Sequence, residues 1–395
     1  MRPLRIIQIV NRFPPSIGGA ENYVFNLSKN LQQLGHQVLV LTSDLLRDDI
    51  WARLPRRYEH ASIENVTVRR FKAQRFIPGH GSGVVIPGIF QALLREHEAD
   101  VLHANSYGFY SSYAPILAGR IRRIPVVFTT LLSTTGVMPS AVRLLYNGTI
   151  GRFTLRSSAH LITLTDRERE ELRRLEVPDW KISVIPPGID IGCFLEVSGS
   201  EVQEFRERIN PEGKIALFVG RLGRNKGVEE LVAASPFVVT CVPKTKFLIV
   251  GDDWGMRHHL EMLAHKLQVT DSVIFAGRLS KRDLIKAYLA SDLFVFPSLS
   301  AEAYGLVLLE AMVAGKPIVA FRGMTPEILR EGRNCVLARY GDHVSLADSM
   351  VSLLLDTRLS NAMGKNNRQS AAKYSWESVA QRLVSIYRRV AENYA

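Results

Sequence analysis

The sequence predicts an α/β protein of two domains, each built on a largely parallel sheet. Two observations carry this. The run Asp292-Leu-Phe-Val-Phe-Pro297 is short, apolar and closed by proline, as a strand buried on both faces is. Gly305 then opens a helical segment that Gly315 and Pro317 close, and residues 317–320 read as the next strand. A strand-loop-helix-strand connection belongs to a parallel sheet. The second observation is length: 395 residues exceed the usual single core, so two domains are expected.

The elements follow in order. Residues 5–10 read as a first strand, too short in its apolar part for a signal peptide. Residues 11–21 form the loop after it, with Gly18 and Gly19 at a helix start where a ligand can lie against the backbone. Alone, two adjacent glycines mark a turn as readily as a site. The helix runs to about Leu34, with Val24, Leu27, Leu31 and Leu34 on one face. A second strand follows His36, residues 44–65 are polar and irregular, and 75–83 form a loop. The run Asp100-Val-Leu-His103-Ala-Asn105 is another strand. Residues 124–130, 159–165 and 181–190 supply the last strands of the first domain, which Pro186-Pro187-Gly188 ends. Charged residues 191–212 read as the connection.

The second domain starts at 214–220. Arg221 and Lys226 follow in a strand-to-helix loop, on the side of the sheet where such folds hold ligands. A forked and a point-like cation there suit a diphosphate. Further strands are read at 246–250 and 273–277. Glu302 lies in the loop after the strand that ends at Pro297. The amides of Gly305, Leu306 and Val307 open the next helix and form a phosphate site, and Glu310 lies one turn on. On local sequence alone, Glu310 as a solvated charge and Glu302 as a helix cap remain open. Asp252-Asp253 are adjacent, and His258-His259 point apart on a helix, which is not ligand spacing. Residues 376–392 read as an amphipathic helix.

The Glu-x7-Glu arrangement of Glu302 and Glu310, followed by Ala-Met-Val-Ala-Gly-Lys-Pro-Ile-Val, closely resembles the retaining glycosyltransferases of family 4. The resemblance is strongest over 215–340 and continuous over 1–200. It implies the GT-B fold: two Rossmann-like doubly wound domains facing across a cleft, residues 1–195 on the acceptor side and 196–375 binding the nucleotide sugar. The last helix, about 376–392, is then expected to pack back on the first domain. The resemblance implies that Glu302 holds the donor sugar and counts with Arg221 and Lys226 as catalytic. It gives Glu310 the ribose hydroxyls, and Gly305, Leu306 and Val307 the diphosphate. It also places Gly18, Gly19 and Asn105 at the donor and acceptor. Relatives often have a histidine where this chain has Asn105, and an amide can bond sugar hydroxyls but cannot act as acid or base. His103 reads more readily as a core histidine than as a ligand. The implied reaction moves a sugar from a UDP- or GDP-sugar to a glycan or lipid-linked acceptor, with retention and without a metal or other cofactor.

Composition bounds the alternatives. Three widely spaced cysteines make neither a disulfide framework nor a zinc site, which suits a reducing cytoplasm. No run approaches the ~18 apolar residues of a membrane span. The net charge is +12, and residues 1–190 hold 24 Lys+Arg against 16 Asp+Glu. Arginines interleave with aromatics at 51–58 and 69–76, which suits an anionic membrane surface, so a peripheral place on the inner face of the membrane is an expectation beside an incidentally basic surface. No nucleic-acid motif accompanies the charge. A pyridoxal-dependent phosphorylase is usually much longer. A dinucleotide-dependent oxidoreductase would want Gly-x-Gly-x-x-Gly after the first strand, and residues 11–21 lack it. A glucan synthase or phosphorylase-type GT-B enzyme and a non-catalytic sugar-nucleotide-binding protein remain as alternatives.

Overall fold

The computed structural model describes residues 2–16, 18–47, 51–75, 84–131, 144–300, 305–323 and 328–394. The chain forms two compact units, residues 1–188 with 376–395, and residues 189–375.

The first unit is an eight-stranded sheet. Its strands are β1 (Arg5–Ile9), β2 (Gln37–Ser43), β3 (His60–Ile63), β4 (Val66–Phe71), β5 (Val101–Asn105), β6 (Val126–Thr129), β7 (His160–Thr163) and β8 (Ile182–Val184). Their order is β8-β7-β6-β5-β1-β2-β4-β3, and every pairing is parallel except β3 with β4. Strands β5, β6 and β7 are buried along their whole length, so that even their polar members, His103 and Asn105 among them, lie in the core. Ile7, Ile9, Leu102, Ala104 and Phe128 form a core with Ile89, Leu93 and Ile116 from flanking helices. The edge strand β3 closes on β4 through Glu64 and Asn65, both at positive φ, in a hairpin within what the sequence suggested was irregular chain.

The Trp376–Glu392 helix belongs to this unit. Trp376 meets Tyr23 edge-on at 5.5 Å, and the Tyr387 hydroxyl lies 2.6 Å from His103 Nδ1. A side chain at Gly188 would come within 2.5 Å of the Trp376 ring, so only glycine lets the chain pass there.

The second unit holds six parallel strands: β9 (Ile215–Val219), β10 (Lys246–Val250), β11 (Val273–Gly277), β12 (Leu293–Phe296), β13 (Ile318–Phe321) and β14 (Cys335–Ala338). Their order is β11-β10-β9-β12-β13-β14. The strand order reverses direction between β9 and β12, which makes the carboxyl ends of these two strands the switch point at which sheets of this kind hold ligands. The segment expected to be a mere connection instead contains the Gly199–Ile209 helix. Ser198 and Glu201 form a reciprocal capping box that starts it. Glu201 also binds Arg282 at 2.8 Å, which ties the helix to its neighbour Lys281–Ala290.

Candidate functional site

The switch point of the second sheet brings Arg221, Lys226 and the start of the Leu306–Val313 helix to one end of β9 and β12. After β9 the chain makes a short 3-10 turn, Arg224–Lys226, and Gly227 then starts the Val228–Cys241 helix. Gly227 has φ +67, and a Cβ there would sit 1.8 Å from the Pro297 carbonyl oxygen. The residue is glycine because the Lys226 turn rests directly on the end of β12. Side chains complete the junction. The Asn225 carbonyl accepts from Leu299 N at 2.9 Å and from Ser298 Oγ at 3.3 Å, and Asn225 Nδ2 donates to Ser300 Oγ at 3.3 Å. The two loops are therefore one structure up to Ser300. Glu302 lies outside the described residues.

Gly305, at φ +71, caps the Leu306–Val313 helix without a side-chain acceptor, and no acidic residue occupies the first turn. The helix start thus has no carboxylate of its own to compete with an incoming anion. Leu306 is exposed and Val307 half-buried. Glu310 is half-buried and accepts a 2.7 Å hydrogen bond from the Tyr288 hydroxyl, which also donates to the Val307 carbonyl at 3.3 Å. Burial raises the Glu310 carboxyl above its ordinary range, while the Tyr288 hydrogen bond and the charge of Lys281 pull it down. Tyr288 is wholly buried and fixes the carboxylate. Its role escapes sequence reading because its partner is twenty-two residues away.

Arg221 is exposed, and its guanidinium lies 4.0 Å from the centre of the Trp254 ring. Asp253 is committed elsewhere: one carboxylate oxygen accepts from the backbone N–H groups of Gly255, Met256 and Arg257, which starts the Arg257–Lys266 helix. Those bonds hold its carboxyl below the usual range.

The first unit carries the remaining expected ligand residues, Gly18, Gly19 and Asn105. Gly18 precedes the Gly19–Gln33 helix, but the Glu21 carboxylate lies against it, 2.2 Å from where a Gly18 Cβ would be. Glu21 is buried and paired with Arg12 at 2.8 Å. Gly19 is open, with nothing within 4 Å of a built Cβ. Asn105, expected near the donor sugar, is fully buried. Its amide donates to Gln8 Oε1 at 3.1 Å and to the Ile9 carbonyl at 3.2 Å, so the side chain ties β1 to β5 and is turned away from solvent. His103 is likewise fully buried between Thr129 Oγ1, at 2.7 Å, and Tyr387, and burial drops its pKa to about 3. A neutral imidazole is the form that site accepts. Glu168, which the sequence reading did not single out, is buried at the start of the Asp166–Arg174 helix. It accepts from Leu164 N and Thr130 Oγ1, both at 3.1 Å, and burial lifts its carboxyl to about 7.

Comparison with known proteins fits this arrangement. Residues 18–188 match the glycosyl transferase 4-like domain and residues 200–370 the glycosyl transferases group 1. The chain belongs to the family 4-like glycosyltransferases. N-acetyl-alpha-D-glucosaminyl L-malate synthase of Bacillus anthracis is 27% identical over 381 residues, 94% of each chain. Phosphatidyl-myo-inositol mannosyltransferase of Mycobacterium leprae is 28% identical, over 95% of this chain and 94% of that one. Among solved structures, Anabaena HepE in complex with UDP superposes with a TM-score of 0.80 at 20% identity, covering 98% of this chain and all of that one. The fold of this glycosyltransferase is therefore GT-B, as the sequence resemblance implied.

Proposed function

We propose that this glycosyltransferase moves a hexose from a nucleotide diphosphate donor to a glycan or lipid-linked acceptor, with retention of configuration. The observation that carries the proposal is the junction at the second sheet's switch point. It sets a two-cation loop beside a helix start with no acidic side chain in its first turn, with a fixed carboxylate one turn further on. That order matches a leaving diphosphate followed by a ribose. Arg221, Lys226 and the Gly305–Val307 amides receive the diphosphate and stabilise the charge that grows as the glycosidic bond breaks. Glu310, held by Tyr288, accepts from the ribose hydroxyls. Glu302 takes the sugar hydroxyls. Retention of this kind proceeds on one face of the sugar, with the leaving phosphate helping to deprotonate the acceptor, so no enzymatic nucleophile is required. UDP in the HepE structure favours a uridine donor, and the lipid named as the M. leprae relative's substrate favours a membrane-borne acceptor.

The cationic pair does the work that a divalent ion does elsewhere, so activity is expected to persist in a chelator. Loss on chelation with recovery on magnesium or manganese would overturn that part. The wider test is incubation with a panel of UDP-, GDP- and ADP-sugars, followed by replacement of Arg221 or Lys226 with alanine. Each replacement is expected to lower kcat by roughly a hundredfold or more, the scale of losing a charge-assisted contact in the transition state. Near-normal turnover in both variants would remove the diphosphate assignment.

A further inference from the structure

We infer that Trp254 is a positioning residue for Arg221: its exposed ring face holds the guanidinium at the mouth of the candidate diphosphate site. The inference rests on the proposed role of Arg221 and adds what aims it. Arginine carries a long side chain with many rotamers, and an exposed one must lose that freedom before it can meet a phosphate. Here the two loops that carry Arg221 and Trp254 are zipped together past the ends of β9 and β10. Gly220 N donates to the Val250 carbonyl at 2.9 Å, Leu222 N to Asp252 at 2.9 Å, and Trp254 N back to Leu222 at 3.2 Å. A Cβ on Gly251 would fall 1.9 Å from the Gly220 carbonyl oxygen, so the loops are in backbone contact. The backbone thus fixes where both side chains start. Trp254 is 63% exposed, although an indole gains by burial, and the face it offers is covered by the guanidinium at 4.0 Å. A cation over an indole face is attracted by the ring quadrupole, weakly at an exposed site. That weakness suits a resting place: a diphosphate, with full charges and planar acceptors, draws the guanidinium off the ring at little cost.

The test uses the full-length enzyme, UDP as the binding probe, and the donor found by the sugar panel. Trp254→Ala is expected to lower kcat/KM for the donor three- to tenfold, Trp254→Phe to restore it to within about twofold, and Trp254→Leu not to restore it. In an Arg221→Ala background, Trp254→Ala should have no further effect, because the two residues act as one unit. UDP should change tryptophan emission, excited at 295 nm, in the wild type, and that change should be absent from Trp254→Phe. Wild-type activity in Trp254→Ala, rescue by leucine equal to rescue by phenylalanine, additive losses in the double variant, or no emission change with UDP would each overturn the inference. The two levels separate cleanly. If Arg221→Ala loses turnover while Trp254→Ala does not, only the positioning role falls. If Arg221→Ala keeps wild-type turnover, Arg221 has no part in the diphosphate site and this inference falls with it, whereas the diphosphate reading itself falls only if Lys226→Ala keeps it as well.

Discussion

Glu168 shows how one buried side chain can set a pH dependence for the whole fold. Its carboxyl rises from an ordinary 4.5 to about 7, because burial disfavours the charge more than the Leu164 and Thr130 bonds favour it. A folded value above the unfolded one means the group's contribution is fully present below pH 4.5 and is lost as pH rises through 7. The amount at stake is on the order of 3 kcal/mol. Glu168→Gln, which keeps the acceptor oxygen and cannot ionise, is expected to be more stable than wild type at pH 8 and to converge with it at pH 5. Urea unfolding at both values reads this, and a gap that does not change with pH would show that Glu168 is not the titrating group. Glu168 also marks where reading by residue type stops. The placement of Arg221 and Lys226 in a loop between a strand end and a helix start was legible, because the strand and helix patterns on either side are plain in the sequence. Tyr288, Trp254 and Glu168 were not, because each matters through a partner that only the fold brings near. For Asn105 the position at a strand end was visible, and its burial against Gln8 was not.

Among the elements, the strands were the most legible, since strands covered on both faces read as unbroken apolar runs. Their order was not, because a parallel crossover need not return to a neighbouring strand. The Gly199–Ile209 helix was missed although its start, Ser198-x-x-Glu201, is a capping signal in plain view; the charge of residues 191–212 outweighed it. The turn holding Lys226 against β12 offers a sharper test of how elements position the site. Gly227→Ala meets both a left-handed backbone and the Pro297 carbonyl oxygen at 1.8 Å, whereas Gly255→Ala, at φ +85, meets nothing within 4 Å. Gly255→Ala should therefore cost about 1 kcal/mol of stability, from backbone strain alone. Gly227→Ala should cost at least twice as much, and should weaken donor binding as Lys226 shifts. Chemical denaturation and UDP titration of the two variants measure these effects, and equal costs would mean that the close contact with β12 relaxes freely.

At the scale of the whole molecule, the basic first half invites a surface role. Among the described residues no helix is long and apolar enough to cross a membrane, so attachment to a bilayer through them would be peripheral. The basic-aromatic runs divide once their side chains are placed. Arg70 is buried and donates to the Tyr58 carbonyl at 2.9 Å, which makes it part of the fold and no surface cation. Arg56, Arg57 and Arg75 are exposed; Arg57 lies over Tyr58, and Arg75 and Arg53 flank Trp51 at 5.4 and 5.3 Å. A second face joins the Tyr110–Arg122 and Arg152–Ser157 helices, where Arg120 lies over Phe153 and Leu117 and Ile121 are exposed. Each cation near an anionic bilayer contributes about 1 kcal/mol, and that contribution is screened by salt. We therefore expect the enzyme to float with phosphatidylglycerol or cardiolipin vesicles at low salt and to release as salt rises. Replacing Arg56, Arg57 and Arg75 together with serine should weaken binding by roughly a hundredfold, while leaving turnover on a water-soluble acceptor unchanged. Binding that survives this change and high salt, but is lost when Leu117, Ile121 and Phe153 become serine, would move the docking face to the second, apolar surface. No flotation on either vesicle at low salt would mean that the acceptor meets this enzyme away from a membrane, and that the surplus of arginine in the first half serves only solubility.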